Sequence, residues 1–383
     1  MTESVDIKIL LTGGGSGGHV YPLLAVAEEL KKLAVDEKLV LEFDYLGPHD
    51  AYAALLEKEN INVKTIFTGK LRRYLSIQNI FDIPKFFLGL LQALFAVWWI
   101  MPDVIFSKGG TGALPVVIAG WFYMVPVIIH ESDAKPGLTN LLSSWFSKRV
   151  AVSFEAAQRY FNPKKTALVG VPVRKSVFSG NVDQAVAKEA LGFDAKRPLV
   201  LVLGGSQGST RINEFIITNL ENILKESQVL HQAGSVNFGD TERIGQFIVK
   251  GLPLEVAKKT RYRVAQYLEV GEMANALGAA DLIICRAGSS TIFEAAAFGK
   301  PMILIPLEEA ANDHQRVNAY EFARGGGGIV IEEANLLPGL FMTQLRTILG
   351  NPQKLTQMSA ASQKFYKPGA AEAIAQEIWR MAQ

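Results

Sequence analysis

The chain has 383 residues, 49% of them apolar, a formal net charge of +2 and one cysteine, Cys285. That length is too great for one compact core and suits two domains. The near-neutral charge gives no global argument for a nucleic-acid partner and leaves a local basic patch open, and a single cysteine excludes a disulfide framework and any multi-cysteine metal site.

Met1–Lys8 carries Glu3 and Asp6 and no apolar run, so it does not read as a secretory signal. Ile7–Leu11 reads as a buried strand. The glycine loop Gly13-Gly14-Gly15-Ser16-Gly17-Gly18 follows, before an Ala/Leu/Glu-rich helix to Leu33. Such a unit presents backbone N–H groups and a helix N-terminus to an anion, although any tight strand-to-helix turn uses glycine. His19, next in the chain, is either a general base with a pKa near neutrality or a loop imidazole bonded to a carbonyl. Lys70, Arg72 and Arg73 precede the apolar stretch Phe86–Met101, with Lys85 at its edge. That stretch contains Gln92 and falls short of the ~20 residues that span a bilayer. It reads either as an interfacial anchor on anionic lipid or as a core helix covering the sheet.

Strands are predicted at Leu39–Leu46, Val104–Ser107, Val125–His130 and Arg149–Val152, with helical patterns between them. Lys108-Gly109-Gly110-Thr111-Gly112 is a further post-strand glycine loop, either a second anion site or a tight turn. His130-Glu131 ends a strand, which in a doubly wound sheet faces the ligand crevice. Glu131 is thus a second base candidate, or a solvated loop acid. Lys135–Asn140 follows as part of the same wall, and Gly170–Val173 is a candidate hinge. The second half repeats the alternation, with strands at Leu199–Leu203, Gln228–Gln232, Tyr262–Val264, Leu282–Cys285, Met302–Pro306 and Gly328–Ile331. The alternation predicts parallel sheets with helices on both faces. Gly204-Gly205-Ser206-Gln207-Gly208 follows the first of these strands and precedes a helix over Arg211–Leu224.

Two motifs in this half carry polar chemistry. In Ile283–Glu294 a strand runs into Ala287-Gly288-Ser289-Ser290, and a helix starts at about Thr291. Ser289 and Ser290 are placed to cap it, and its N-terminus suits a diphosphate. Glu294, read as a first-turn residue, is either a ribose acceptor or the reciprocal acid of a capping box. In Asn312–Asn318, His314, Gln315 and Asn318 can read sugar hydroxyls, or Asp313 simply caps a helix. The tail Leu355–Gln383 reads as helical with a break at Pro368-Gly369.

The ordered set GGGSGGHVYPLLAVAEEL, HESDAKPGLTN, VGVPVR, LVLGGSQGSTRIN, CRAGSSTIFEAAAFGKPMILIP and DHQRVNA resembles the MurG family of glycosyltransferases over almost the whole chain. The resemblance implies the GT-B fold: two Rossmann-like, doubly wound parallel-sheet domains with an inter-domain cleft. The expected division is 1–170 for the acceptor and membrane-side domain and 171–359 for the UDP-sugar donor domain, with a C-terminal helix, 360–383, packing back on the first. It further implies an inverting transfer of N-acetylglucosamine from UDP-N-acetylglucosamine to the lipid I acceptor, with no essential metal and no cofactor, at the cytoplasmic face of the plasma membrane. Anionic lipid of the inner leaflet would meet the Lys70–Met101 region.

By position in these motifs, the resemblance assigns Ser16, Gly17, Gly18, Arg174, Ser206, Leu268, Ser289, Ser290, Thr291, Ile292, Phe293, Glu294, His314, Gln315 and Asn318 to the donor. Gly14, Gly15, Gly109, Gly110, Thr111, Asp133 and Asn140 fall on the acceptor side, with His19 or Glu131 as base. Asp133 stands where the family commonly has asparagine, Thr111 where an aromatic is usual, and His314 where it has the first of two glutamines. Other readings are another GT-B UDP-sugar enzyme, whether a glycolipid or natural-product transferase or an epimerase, and a non-catalytic nucleotide-sugar-binding protein.

Overall fold

The structure, a computed structural model, describes residues 5–48, 51–69, 78–174, 183–204, 208–252 and 261–383. Lys70, Arg72, Arg73 and Ser206 lie outside the described residues. The chain divides into two compact units, Met1–Arg174 with Lys367–Gln383, and Lys175–Tyr366.

The first unit alternates β1 (Ile7–Thr12), α1 (Gly17–Glu37), β2 (Leu41–Gly47), α2 (Ala53–Lys58), β3 (Asn62–Thr65), α3 (Gln78–Ile100), β4 (Val104–Ser107), α4 (Ala113–Phe122), β5 (Val127–Glu131), α5 (Leu138–Phe146), β6 (Arg149–Val152) and β7 (Thr166–Leu168). Its seven strands form one parallel sheet in the order β3-β2-β1-β4-β5-β6-β7. β4 and β5 are buried along their whole length, which requires cover on both faces. On one face, Leu23 and Leu30 of α1 pack with Ile9, Leu11 and Phe43, joined by Ile374 and Ile378 of the C-terminal helix Ala370–Ala382. On the other, Val97 and Ile100 of α3 and Val116 of α4 pack on Leu10, Ile105 and Ile129. β3 and β7 are edge strands that the sequence pattern does not reveal. Each is short, and β3 alternates polar and apolar residues at an exposed edge.

The C-terminal helix is tied to α1 by polar contacts as well. Trp379 Nε1 donates to Glu37 Oε1 at 2.9 Å and Gln383 Nε2 to Glu37 Oε2 at 3.0 Å, while Arg149 Nε donates to Glu377 Oε1 at 2.8 Å.

The second unit runs α6 (Gln184–Ala190), β8 (Leu199–Leu203), α7 (Thr210–Thr218), α8 (Leu220–Glu226), β9 (Gln228–Gln232), α9 (Phe238–Gly251), β10 (Tyr262–Ala265), α10 (Val270–Ala279), β11 (Leu282–Cys285), α11 (Ser289–Ala297), β12 (Met302–Leu304), α12 (His314–Arg324), β13 (Gly328–Val330), α13 (Pro338–Leu349) and α14 (Pro352–Phe365). Its six parallel strands are ordered β10-β9-β8-β11-β12-β13. Ala276, Ile292 and Phe322 cover one face, and Ile212, Ile216, Ile223 and Phe341 the other. The single helix expected over Arg211–Leu224 is two. Asn219 leaves helical geometry (φ −106°, ψ 8°), and its Nδ2 donates to Phe215 O at 2.8 Å.

All five tryptophans, at 98, 99, 121, 145 and 379, belong to the first unit. Ile378→Ala removes a fully buried side chain and is expected to destabilise that unit by about 2–5 kcal/mol. Denaturant unfolding followed by tryptophan fluorescence reads this unit selectively; an unchanged midpoint would show that the C-terminal helix adds nothing to its core.

Candidate active site

In each sheet the strand order reverses once, between β1 and β4 in the first unit and between β8 and β11 in the second. Loops leaving adjacent strands diverge at such a point and open a crevice at the carboxyl edge of the sheet. The motifs singled out from sequence fall on these two edges.

In the first unit, the loop after β1 and the loop after β4 touch. Gly14 and Gly110 have φ of +132° and +85°. A Cβ on Gly110 would lie 2.6 Å from Gly14 O and 3.1 Å from the His19 ring, and one on Gly14 would lie 2.6 Å from the Tyr45 hydroxyl. Both positions therefore need glycine for conformation and for room. The Thr111 hydroxyl lies against Gly15. Ser16 is the N-cap of α1, but its side chain does not cap; its Oγ sits 3.0 Å from His19 Nδ1 instead. The first turn at Gly17 and Gly18 is thus uncapped. Arg174 stacks over the Tyr21 ring on α1, with the guanidinium carbon 4.9 Å from the ring centroid.

Behind these loops lies a buried ionic cluster. Glu131 is buried rather than solvated. Its Oε1 accepts from Asp133 N at 2.9 Å, and its Oε2 accepts from Gly137 N at 3.1 Å and Asn140 Nδ2 at 3.0 Å. Asn140 also donates to His130 O at 3.2 Å, and Gly109 N donates to Ser107 Oγ at 3.3 Å. Burial, then the neighbouring Asp133, push the Glu131 carboxyl above the ordinary carboxylate range, against its hydrogen bonds and Lys108. His130 Nε2 lies 2.9 Å from Gly170 O, and burial, then Lys108, hold its pKa well below the usual imidazole value.

In the second unit, α11 begins two residues earlier than the sequence pattern indicates. Gly288 is the N-cap and no side chain caps the helix. Ser289 and Ser290 are therefore its first two residues rather than its caps, and Glu294 is sixth, in the second turn. That position excludes the capping-box role, which belongs to the third residue. Ile292 N bonds Gly288 O at 3.0 Å, so the N–H groups of Ser289, Ser290 and Thr291 are those without an intrahelical partner. Glu294 follows Thr291 by three and Ser290 by four, which puts the carboxylate on the same helix face. Ile292 and Phe293 are fully buried and point into the core, with Phe293 packing on Phe365 at 5.2 Å.

The other residues of this edge shape it. Asn318 is fully buried, and its Nδ2 donates to Ala287 O at 3.2 Å, which fixes the loop ahead of α11. Gln315 Oε1 accepts from Leu307 N at 3.1 Å. Leu268 is buried with its N–H on Gln232 Oε1 at 3.1 Å. His314 is the first residue of α12, behind two left-handed residues, Asn312 and Asp313 (φ +61° and +59°). Asp313 does not cap the helix; it pairs with Arg316 at 2.7 Å. Sequence reasoning passed over Arg286. Its Nη1 donates to Ile305 O at 3.1 Å, its Nη2 to Ser209 Oγ at 2.8 Å, and it pairs with Glu333. It therefore ties together the segments after β8, β11 and β12. Among the described residues no group of His, Cys, Asp or Glu is arranged to hold a metal ion.

Both halves of the chain match known protein domains. Residues 9–152 match the Glycosyltransferase family 28 N-terminal domain, and residues 199–374 its C-terminal domain. The chain is 38% identical over 331 residues to the UDP-N-acetylglucosamine–N-acetylmuramyl-(pentapeptide) pyrophosphoryl-undecaprenol N-acetylglucosamine transferase 3 of Bacillus thuringiensis (strain Al Hakam), covering 86% of this chain and 88% of that one. It is 35% identical to the corresponding transferase 2 of Bacillus cereus (strain ATCC 10987 / NRS 248), covering 97% and 99%. The solved structure of Acinetobacter baumannii MurG superposes with a TM-score of 0.75 at 26% identity, over 98% of this chain and 99% of that one.

Gly110→Ala is expected to destabilise the first unit by at least about 1 kcal/mol, from left-handed strain alone, before the overlap with Gly14 O is counted. Tryptophan-monitored unfolding checks this, and a wild-type midpoint would mean the two loops are not in contact.

Proposed function

The chain belongs to the MurG family within glycosyltransferase family 28, and from that premise we propose the reaction it performs and the residues that perform it. The protein transfers N-acetylglucosamine from UDP-N-acetylglucosamine to the muramoyl 4-hydroxyl of undecaprenyl-pyrophosphoryl-MurNAc-pentapeptide, the lipid I to lipid II step of peptidoglycan synthesis. The observation that carries the donor half is the uncapped first turn of α11 at the reversal point of the second sheet.

The UDP diphosphate sits on the amides of Ser289, Ser290 and Thr291, where the positive end of the helix dipole meets it. Glu294, one turn further on the same face, accepts from the ribose hydroxyls. Uracil meets backbone near Leu268, and His314 and Gln315 read the sugar. Asn318 acts through the loop it fixes. The helix end neutralises charge on the departing UDP, so no metal is required; Arg174, which the family resemblance sets at the donor, belongs to the first unit and stacks on Tyr21. On the first unit, the acceptor diphosphate meets the loop Gly13–Gly18 and the loop Gly109–Gly112, so the amides of Gly17 and Gly18, which the family resemblance sets at the donor, are here given to the acceptor. His19 takes the proton of the 4-hydroxyl as that oxygen attacks the anomeric carbon from the face opposite UDP, and the configuration inverts. His19 is favoured over Glu131 because both Glu131 oxygens are already bonded to the loop that follows it.

The acceptor's lipid places the enzyme at the cytoplasmic face of the membrane. Asp82–Ile100 is long and apolar enough to cross a bilayer by length and composition. Ala93, Val97 and Ile100 are nonetheless packed in the core of the first unit, while Phe87, Leu91, Phe95, Trp98 and Trp99 are exposed. A helix buried along one side and apolar along the other lies in an interface rather than across it. The adjoining α4 end adds Trp121, Phe122 and Met124, an apolar extension that the sequence reading did not include.

Release of UDP from UDP-N-acetylglucosamine with a lipid I analogue, with and without EDTA, tests the reading. Acceptor-dependent turnover that survives chelation is expected; donor conversion without acceptor would mean an epimerase, and donor binding without turnover a non-catalytic protein. Glu294→Ala is expected to raise the donor KM roughly ten- to a hundred-fold, the worth of a charged hydrogen bond, and a near-normal KM would remove Glu294 from the ribose. Trp98→Ser combined with Trp99→Ser is expected to cut co-sedimentation with anionic vesicles by about tenfold or more, from the apolar area lost; undiminished binding would move the membrane face elsewhere.

A further inference from the structure

The first unit buries a lysine that the mechanism above does not use. Lys108 is 2% exposed. Its N–H donates to Thr12 O at 2.8 Å, its Cβ would lie 3.2 Å from a Cβ on Gly13, and its Nζ donates to the Ser132 hydroxyl. The side chain therefore runs from the end of β4, under the first glycine loop, to the loop after β5. The charged groups acting on it are Glu131 and Asp133, both of which favour the ammonium. His130 is the other titratable neighbour, and it stays neutral. Two carboxylates two residues apart, one of them buried, repel each other, and a buried charge without a partner costs several kcal/mol.

We propose that Lys108 is a positioning residue for the transfer: its buried ammonium is the counter-charge that lets Asp133 stand beside Glu131, and through Ser132 it holds the loop 132–137 in its acceptor-facing form. The proposal rests on the reading that this edge takes the acceptor. It accounts for an acid at position 133, which otherwise adds negative charge where a diphosphate is to bind. Without the ammonium, Glu131 is pushed further toward its neutral form. It then binds the N–H groups of Asp133 and Gly137 less strongly, and the loop loosens.

The signs follow. Loss of a nearby cation raises the Glu131 pKa, so the acidic limb of the kcat/KM profile for acceptor moves to higher pH. Burial brings the Lys108 ammonium down to about 8, so acceptor turnover in the wild type falls as pH rises through about 8. The stability contribution has the opposite sign. Between about 8 and 10.5 the unfolded state holds the Lys108 proton that the folded state has lost, so this group makes stability rise with pH there.

Four proteins test this: wild type, Lys108→Met, Asp133→Asn and the double variant, each measured for acceptor and donor kinetics against pH and for melting temperature. Lys108→Met is expected to lower kcat/KM for a lipid I analogue by about tenfold or more, with the donor KM within about twofold, and Asp133→Asn in that background is expected to restore most of the loss. Wild-type acceptor kinetics in Lys108→Met, or a double variant no better than Lys108→Met alone, would overturn the proposal. If Lys108→Met fails to fold, a folded double variant supports it and an unfolded one overturns it. A wild type that does not use lipid I overturns the functional reading instead, while the four melting temperatures still measure the coupling between Lys108 and Asp133.

Discussion

In a parallel sheet every strand delivers its carboxyl end to the same edge, and every following helix starts there with unpaired N–H groups. A sequence usually closes those groups with a capping side chain. For at least one helix at each reversal point of this chain it does not. Ser16 turns its hydroxyl to His19, and α11 starts on Gly288 with no cap at all. By contrast α7, which also starts at the reversal of the second sheet, is capped by Ser209 from Ile212 N at 3.4 Å. α4, α5 and α12 start without a capping side chain as well, so an open end alone does not mark a site; α1 and α11 stand at the reversal points, with the rest of each edge arranged around them.

What surrounds the open ends is a frame of committed polar groups. Asn318 holds the loop ahead of α11, Gln315 holds the segment after β12, and Arg286 joins three segments through two carbonyls, a hydroxyl and Glu333. In the first unit Glu131 does the equivalent work with three donors on two oxygens. Each of these side chains is held by at least one backbone group, joined at Arg286 by Ser209 and Glu333 and at Glu131 by Asn140. Their directions are fixed, so the loops they hold present fixed amides. In the proposed reaction that pre-organisation replaces a metal at the leaving group.

The sheet pattern was readable because central strands of parallel sheets are continuous apolar runs, as Leu199–Leu203 and Leu282–Cys285 are. β3 and β7 escaped because an edge strand needs apolar residues on fewer sides. The glycine loops were readable from type and spacing, and the family resemblance extended over nearly all of the chain. Helix starts were less so. A Gly-Ser-Ser run permits a cap at any of its residues, and only the backbone decides that Gly288 takes it and that Glu294 falls in the second turn. Lys108 and Arg286 were illegible for another reason. A basic residue after a strand normally reads as an exposed ligand contact, and nothing local reveals that its charge is consumed inside by acids that arrive from elsewhere in the fold.

The segment before β4 shows where length and composition mislead in a different way. Taken alone, Asp82–Ile100 satisfies the test for a membrane span. Its buried residues, Ala93, Val97 and Ile100, recur at three- and four-residue spacing, which is one stripe of a helix laid on a sheet. The remaining faces carry large aromatic and aliphatic side chains, so no polar face betrays the stripe. Gln92 lies outside it, and its Oε1 accepts from Phe67 N at 2.7 Å. A helix that crossed the bilayer would have to strip Val97 and Ile100 from Leu10 and Ile105, exposing the sheet. One that rests on the lipid keeps that packing and removes the outer side chains from water as well, a gain of about 1.5–3 kcal/mol for each one fully buried. Of the two, the arrangement with both apolar surfaces covered is the interfacial one, which is what the proposed reaction on a lipid-linked acceptor requires.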